Sequence, residues 1–166
     1  MFENLNPIFS NKQHQKEEKD LSIQPIPTIK KSTSRSPRSD KLHQIKFPVS
    51  TSHVIAFKTS IKRFLMHYPD IKLTQTKYNT LLLQYALDNP SIVNWNQDYI
   101  GTSDKHMTTK LKVSRYNEIG GINGISVERG ISERKAAYMM TLSALNDIEK
   151  REGYYEILQQ TRDFKK

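Results

Sequence analysis

The chain of 166 residues contains no cysteine. That excludes a disulfide framework and any thiolate zinc site. It has no apolar run approaching the roughly 20 residues that a membrane-crossing helix needs. The opening stretch MFENLNPIF lacks a basic region followed by an apolar one, so no secretory signal is expected. Hydrophobic residues make up only 36% of the chain, enough for a small core but not a large one. Small units that bury little surface commonly depend on pairing with a second copy. These absences predict a soluble, cytoplasmic protein.

Histidine is sparse, and His14, His43, His53, His67 and His106 are scattered along the chain. None shows the i, i+4 pairing with glutamate that marks a metal-hydrolase helix. The segment Gly120–Gly124, GGING, lacks the Gly-Lys-Ser/Thr ending of a phosphate-binding loop. No catalytic site, metal or cofactor is therefore expected, and the chain is not read as an enzyme.

What the sequence has in excess is positive charge, a net +9. Such a balance points to an anionic partner, most often nucleic acid. Residues 1–42 carry a net +3, 43–90 carry +4, 91–107 carry −1 and 108–166 carry +3. Only the connector is not basic. A single-strand binder would need aromatic side chains interleaved on a basic sheet. The strands predicted below offer only Phe47, which points inward, so double-stranded DNA is the expected partner.

The composition divides the chain. Residues 1–42, containing QPIPTIKKSTSRSPRSDK, are rich in Pro, Ser, Thr, Lys and Arg and are read as a disordered arm. Its cations Lys30, Lys31, Arg35, Arg38 and Lys41 suit a phosphate backbone or a minor groove. Phe2, Leu5, Ile8 and Phe9 are too apolar for plain linker and suggest a short segment that docks a protein partner.

From residue 43 to 89 the pattern is strand, helix, helix. QIKFPVS alternates, with Ile45, Phe47 and Val49 on one face and Gln44, Lys46 and Pro48 on the other. Val54, Phe57, Ile61, Phe64, Leu65 and Tyr68 then follow helical spacing. Pro69 breaks that helix, and Thr74 suits the N-cap of a second one, which stops near Asp88–Pro90. A connector follows over 90–106. Trp95 and Tyr99 within it are expected to pack on helices rather than stack on bases.

The order then repeats over 107–152. TTKLKVS places Leu111 and Val113 inward and Thr108, Lys110 and Lys112 outward. A helix is expected through Ile119, Ile122 and Ile125, with Gly130 as its stop and Ser132 as the next N-cap. The strands align at an offset of 64 and the second helices at 58. The six missing residues are expected in the helix–helix connection. Residues 153–166 are read as a short C-terminal helix or tail.

Two units of one strand and two helices satisfy each other when their strands pair antiparallel. The polar face of such a ribbon has the width of the DNA major groove. Here the chain resembles the ribbon–helix–helix (MetJ/Arc-type) DNA-binding family, in two tandem copies. The likeness covers 43–89 and 107–149. It rests on K-x-x-V-S in each strand, on Gly130–Ser132 (Lys72–Thr74 in the first copy), and on Ala86-Leu87 and Ala144-Leu145 late in the second helices. The fold class implied is mainly α with a short two-stranded antiparallel β-ribbon, β-α-α twice, behind a disordered N-terminal tail.

The resemblance implies base reading by outward strand residues: Gln44, Lys46 and Pro48 in one strand, Thr108, Lys110 and Lys112 in the other. It implies phosphate anchoring at the start of each second helix, at Thr74 with Gln75 and at Ser132 with Glu133. Pro48 offers no polar reading group, and Glu133 sets a carboxylate beside its phosphate. The two half-sites are therefore not expected to read alike.

The 17-residue connector spans at most about 60 Å, enough for the strands to pair within one chain. Both an intramolecular pseudo-dimer and a homodimer are open. The function implied is a sequence-specific regulator, foremost a repressor and plausibly plasmid-encoded. The alternatives are a relaxosome accessory in conjugation, binding a transfer origin to assist a relaxase held by the N-terminal segment, or a partition or copy-control protein.

Overall fold

Period-two alternation produces two strands of seven residues, β1 (Leu42–Pro48) and β2 (His106–Lys112). The computed structural model, which describes residues 41–163, pairs them antiparallel in a two-stranded sheet. Lys30, Lys31, Arg35 and Arg38, and the apolar Phe2, Leu5, Ile8 and Phe9, lie outside the described residues. The ladder runs from Leu42↔Lys112 to Pro48↔His106 and is centred on Ile45↔Thr109. That central pair is also the one whose members match under the 64-residue offset. One further backbone bond closes each end, from Val49 N to Lys105 O at 3.0 Å and from Val113 N to Lys41 O at 3.2 Å.

Helix α1 (Thr51–His67) starts at Ser50, whose hydroxyl accepts the His53 N–H at 3.2 Å. It ends just before Tyr68 and Pro69, since a residue preceding proline avoids helical geometry. Phe57, Ser60, Ile61 and Phe64 form its buried stripe. Helix α2 (Gln75–Asp88) starts at Thr74, as the cap chemistry predicts. A short 3₁₀ turn (Pro90–Ile92) leads into the connector.

The second half departs from expectation. One continuous helix through Ile119, Ile122 and Ile125 does not form. Helix α3 (Val113–Gly120) ends at the glycines, a turn follows, and α4 (Ile125–Glu128) is a single turn. Ile119 is buried, but Ile122 is 91% exposed. A Cβ on Gly121 would lie 2.5 Å from the Asn117 carbonyl oxygen, so the chain closes where only glycine fits. The shortening therefore falls on the first helix, 17 residues in α1 against 8 in α3, and not on the helix–helix connection as expected, which is longer in the second half (121–132 against 68–74). Val113, expected to face inward from the strand, instead opens α3 and is half-buried. The reason is that β2 stops one residue earlier, at Lys112.

Gly130 adopts φ +61°, a left-handed conformation that glycine accepts without a Cβ penalty. Ser132 then caps α5 (Glu133–Arg151). The C-terminal segment forms α6 (Tyr154–Asp163), which buries Tyr154 and Ile157 and packs on α2.

Helices α2 and α5 cross at the centre. Helix α2 lies on β2 and α5 on β1, so each strand rests on the second helix of the other half. Every residue from Tyr78 to Leu83, and from Ala136 to Leu145, is buried. A helix buried all round must satisfy its own polar side chains. Tyr78 and Ser60 hydroxyls meet at 2.6 Å, and Thr141 Oγ1 donates to Ala137 O at 2.6 Å. Burial, partly offset by the Ser60 bond, pushes the Tyr78 hydroxyl well above its ordinary range. Each buried Leu or Phe adds roughly 1.5–3 kcal/mol.

The connector is fastened to α5. Gln97 Nε2 donates to Met139 O at 2.9 Å and to Ser143 Oγ at 2.7 Å. Tyr99 meets Tyr138 edge-on, and Arg129 lies 4.2 Å above the Trp95 ring. Both connector aromatics pack against the core.

Candidate nucleic-acid interface

Alternation sends Ile45, Phe47, Met107, Thr109 and Leu111 down onto the helices, and all five are buried. The opposite face carries the cross-strand pairs Leu42↔Lys112, Gln44↔Lys110, Lys46↔Thr108 and Pro48↔His106. Among these eight residues three are lysine and none is acidic. Gln44, Lys46, Lys110 and Lys112 are exposed and Thr108 is half-exposed. Five of the six expected base readers thus share one surface.

Pro48 is the exception and corrects the expectation: it is buried. The connector runs alongside its end of the ribbon. There Val49 N donates to Lys105 O, and Ser103 Oγ donates to Val49 O at 2.8 Å. Proline suits this end of the ladder because it needs no donor of its own.

His106 is exposed on the same face, as the first residue of β2. Sequence reasoning missed it by starting the strand at Thr108. Carrying the alternation back two residues would have found it. Lys105 was missed as well. Its ammonium donates to Thr51 Oγ1 at 2.9 Å, beside a groove of about 470 Å³ between α1, α2 and β2 that Lys58 also lines. Lys41, assigned to the flexible arm, is exposed and abuts the other end of the ribbon, where its carbonyl accepts Val113 N–H.

The two expected phosphate anchors flank the ribbon. Thr74 Oγ1 accepts the Lys77 N–H at 3.3 Å, and Ser132 Oγ accepts the Lys135 N–H at 3.2 Å. The side chains that follow them turn to internal partners. Gln75 Nε2 donates to Asn79 Oδ1 at 2.8 Å and reaches Phe57 O at 3.5 Å. Glu133 Oε1 accepts the Tyr116 hydroxyl at 2.8 Å, and Tyr116 in turn stacks on His43 with ring centroids 3.5 Å apart. The Gln75 and Glu133 side chains are thus engaged within the protein, and what the two helix starts present outward is backbone N–H groups along the axis.

Glu133 and Arg134 line a groove of about 400 Å³ with His43, Gln44, Ile45 and Lys46. One groove beside the ribbon thus carries a carboxylate. The other is lined by Lys58, Lys105 and His106 with no acidic residue. Among the described residues no group of three or more His, Asp or Glu is placed to hold a metal ion, and no helix is long and apolar enough to cross a membrane.

Comparison with protein-family models, with curated proteins and with solved structures finds no match to this chain.

Proposed function

We propose that the chain is a sequence-specific double-stranded DNA-binding protein that lays its β1–β2 ribbon in the major groove. One observation carries the reading: a two-stranded ribbon, backed by helices on one face, presents lysines, glutamine and threonine and no carboxylate on the other. A ribbon of this kind fits the groove, and those side chains match base-edge donors and acceptors. The ladder's centre on Ile45↔Thr109 supports a pseudo-two-fold within one chain. So does the exchange of strands between halves, β1 on α5 and β2 on α2. In this reading the chain is a tandem ribbon–helix–helix protein whose second copy has lost part of its first helix. Its biological role is that of a regulator, foremost a repressor that occludes a promoter.

The test is selection of bound fragments from a random duplex pool, followed by footprinting of the winner. One enriched site, protected over a single continuous stretch per chain, is the expected result. Retention of all sequences alike would reduce the ribbon to a non-specific cationic surface. No retention at all would remove DNA from the account.

A further inference from the structure

A two-stranded ribbon has two outer edges whose N–H and C=O groups no strand pairs. It is also free to twist, and in isolation it is marginally stable. Side chains can read bases only if the backbone beneath them is held, because the Cα–Cβ direction follows the backbone.

On the β2 edge, two polar residues of α2 meet these backbone groups. Thr80 accepts the Lys110 N–H on its hydroxyl at 2.9 Å while donating to Thr76 O at 2.8 Å. Asn79 Nδ2 reaches Thr108 O at 3.4 Å, and its Oδ1 accepts from Gln75 Nε2. Gln75 in turn reaches the Phe57 carbonyl of α1. The exposures of Asn79 and Thr80 are 0% and 3%, so water does not compete for these bonds. The two backbone groups belong to Thr108 and Lys110, whose side chains stand on the outward face.

Under the 58-residue offset the matching positions in the other half are Glu133, Ala137 and Tyr138. Alanine has no side-chain hydrogen-bonding group. The Tyr138 hydroxyl is engaged with His53 Nδ1 at 2.9 Å, and Glu133 with Tyr116. The bracing by side chains at these positions is therefore one-sided.

We infer that Gln75, Asn79 and Thr80 are positioning residues that brace the outer edge of β2, so that the two halves of the reading face discriminate bases unequally. The inference rests on the DNA-binding reading for its consequence but not for its geometry. The brace holds Thr108 and Lys110 in register, and Lys46 on the other strand depends on it less.

The test uses the full chain with Thr80→Val, which keeps the shape and removes the hydroxyl, and Thr80→Ser, which restores it. Amide exchange at Lys110 should rise about tenfold in Thr80→Val and stay near native in Thr80→Ser, as expected for loss of one buried bond. On the selected duplex, Thr80→Val should lose discrimination at the base pairs that Lys110→Ala identifies and keep it at those of Lys46→Ala. Equal loss at both sets, or unchanged exchange at Lys110, overturns the brace. Should Thr80→Val fail to fold, Gln75→Ala cuts the relay at its half-exposed end and must produce the same one-sided loss. If the unsubstituted chain binds no duplex, the DNA reading itself falls, and exchange at Lys110 still decides the brace.

Discussion

Lys46 and Lys110 are matched positions of the two strands, and each stands one residue beyond the central Ile45↔Thr109 pair. Replacing either with alanine should erase discrimination at one place in the DNA site without abolishing binding. The geometry sets how far apart those places lie. Lys46 belongs to the pair Lys46↔Thr108 and Lys110 to the next outward pair, Gln44↔Lys110. Two residues along a strand span about 7 Å, and stacked bases rise 3.4 Å, so the two places fall about two base pairs apart. A well-made base contact is worth about 1–3 kcal/mol of discrimination. Lysine makes a point contact rather than a fork, which favours the lower half of that range. Each variant should therefore lose about five- to thirtyfold of preference at its own position. The assay is affinity at fixed salt for a panel of single-base-pair variants of the selected site. Equal weakening on every member of the panel would make the lysines phosphate contacts and refute their role as readers. Affected positions more than about four base pairs apart would refute a ribbon lying in one groove.

Two further outcomes follow from charge. Glu133→Gln removes the carboxylate from the groove beside β1 while keeping an acceptor for Tyr116. Duplex affinity should rise about two- to fivefold at low ionic strength, and the gain should fade as salt screens it; an unchanged affinity means that no phosphate approaches this groove. At the far side of the helices Glu149 joins α1, α5 and α6. Burial pushes its carboxyl up, but bonds from Ser60, Tyr154 and Arg63 outweigh that and hold it below its ordinary value. A lowered folded value stabilises the fold above the unfolded pKa of about 4.3, and the contribution is lost as pH falls through the folded value. Urea denaturation between about pH 5 and pH 2 should thus show a fall in stability that Glu149→Gln flattens. A parallel profile for the two proteins would dismiss this carboxylate as the cause.

Most of what could be read in the sequence was local. Ser132 and Thr74 announce their helices because a hydroxyl acceptor followed by a helical pattern has a single geometric use. Alternation in QIKFPVS orients Ile45, Phe47, Gln44 and Lys46 correctly because one face of the ribbon is covered and the other is not. The reading failed where the neighbour, not the pattern, decides. Pro48 is on the polar side by alternation, yet it is buried at the end of the strand where the returning connector bonds to Val49. His106 joins the ribbon because β1 extends far enough to pair with it. At Gly120–Gly124 two local rules conflict, isoleucine spacing for a helix and glycine against it. The glycines prevail because that stretch has only Ile119 in the core to hold it, and the remaining turn closes without a Cβ.

Asn79 and Thr80 show a different kind of blindness. Within Tyr78–Leu83 they interrupt an apolar run, and by residue type alone both read as solvent-facing. Helix α2 has no solvent side there, because β2, α1, α5 and α6 pack around it. A polar residue in such a helix carries information only when its partner is known, and that partner is the edge of a strand about thirty residues further along the chain. The same logic links the two halves. The ladder centre at Ile45↔Thr109 follows from pairing like with like, but the brace on β2 has no like on β1. If the halves arose from one unit, the polar pair in α2 against Ala137 and Tyr138 in α5 marks where they diverged, under the face proposed to meet DNA. A site read by this ribbon should then be imperfectly palindromic, with its stricter half beneath Lys110.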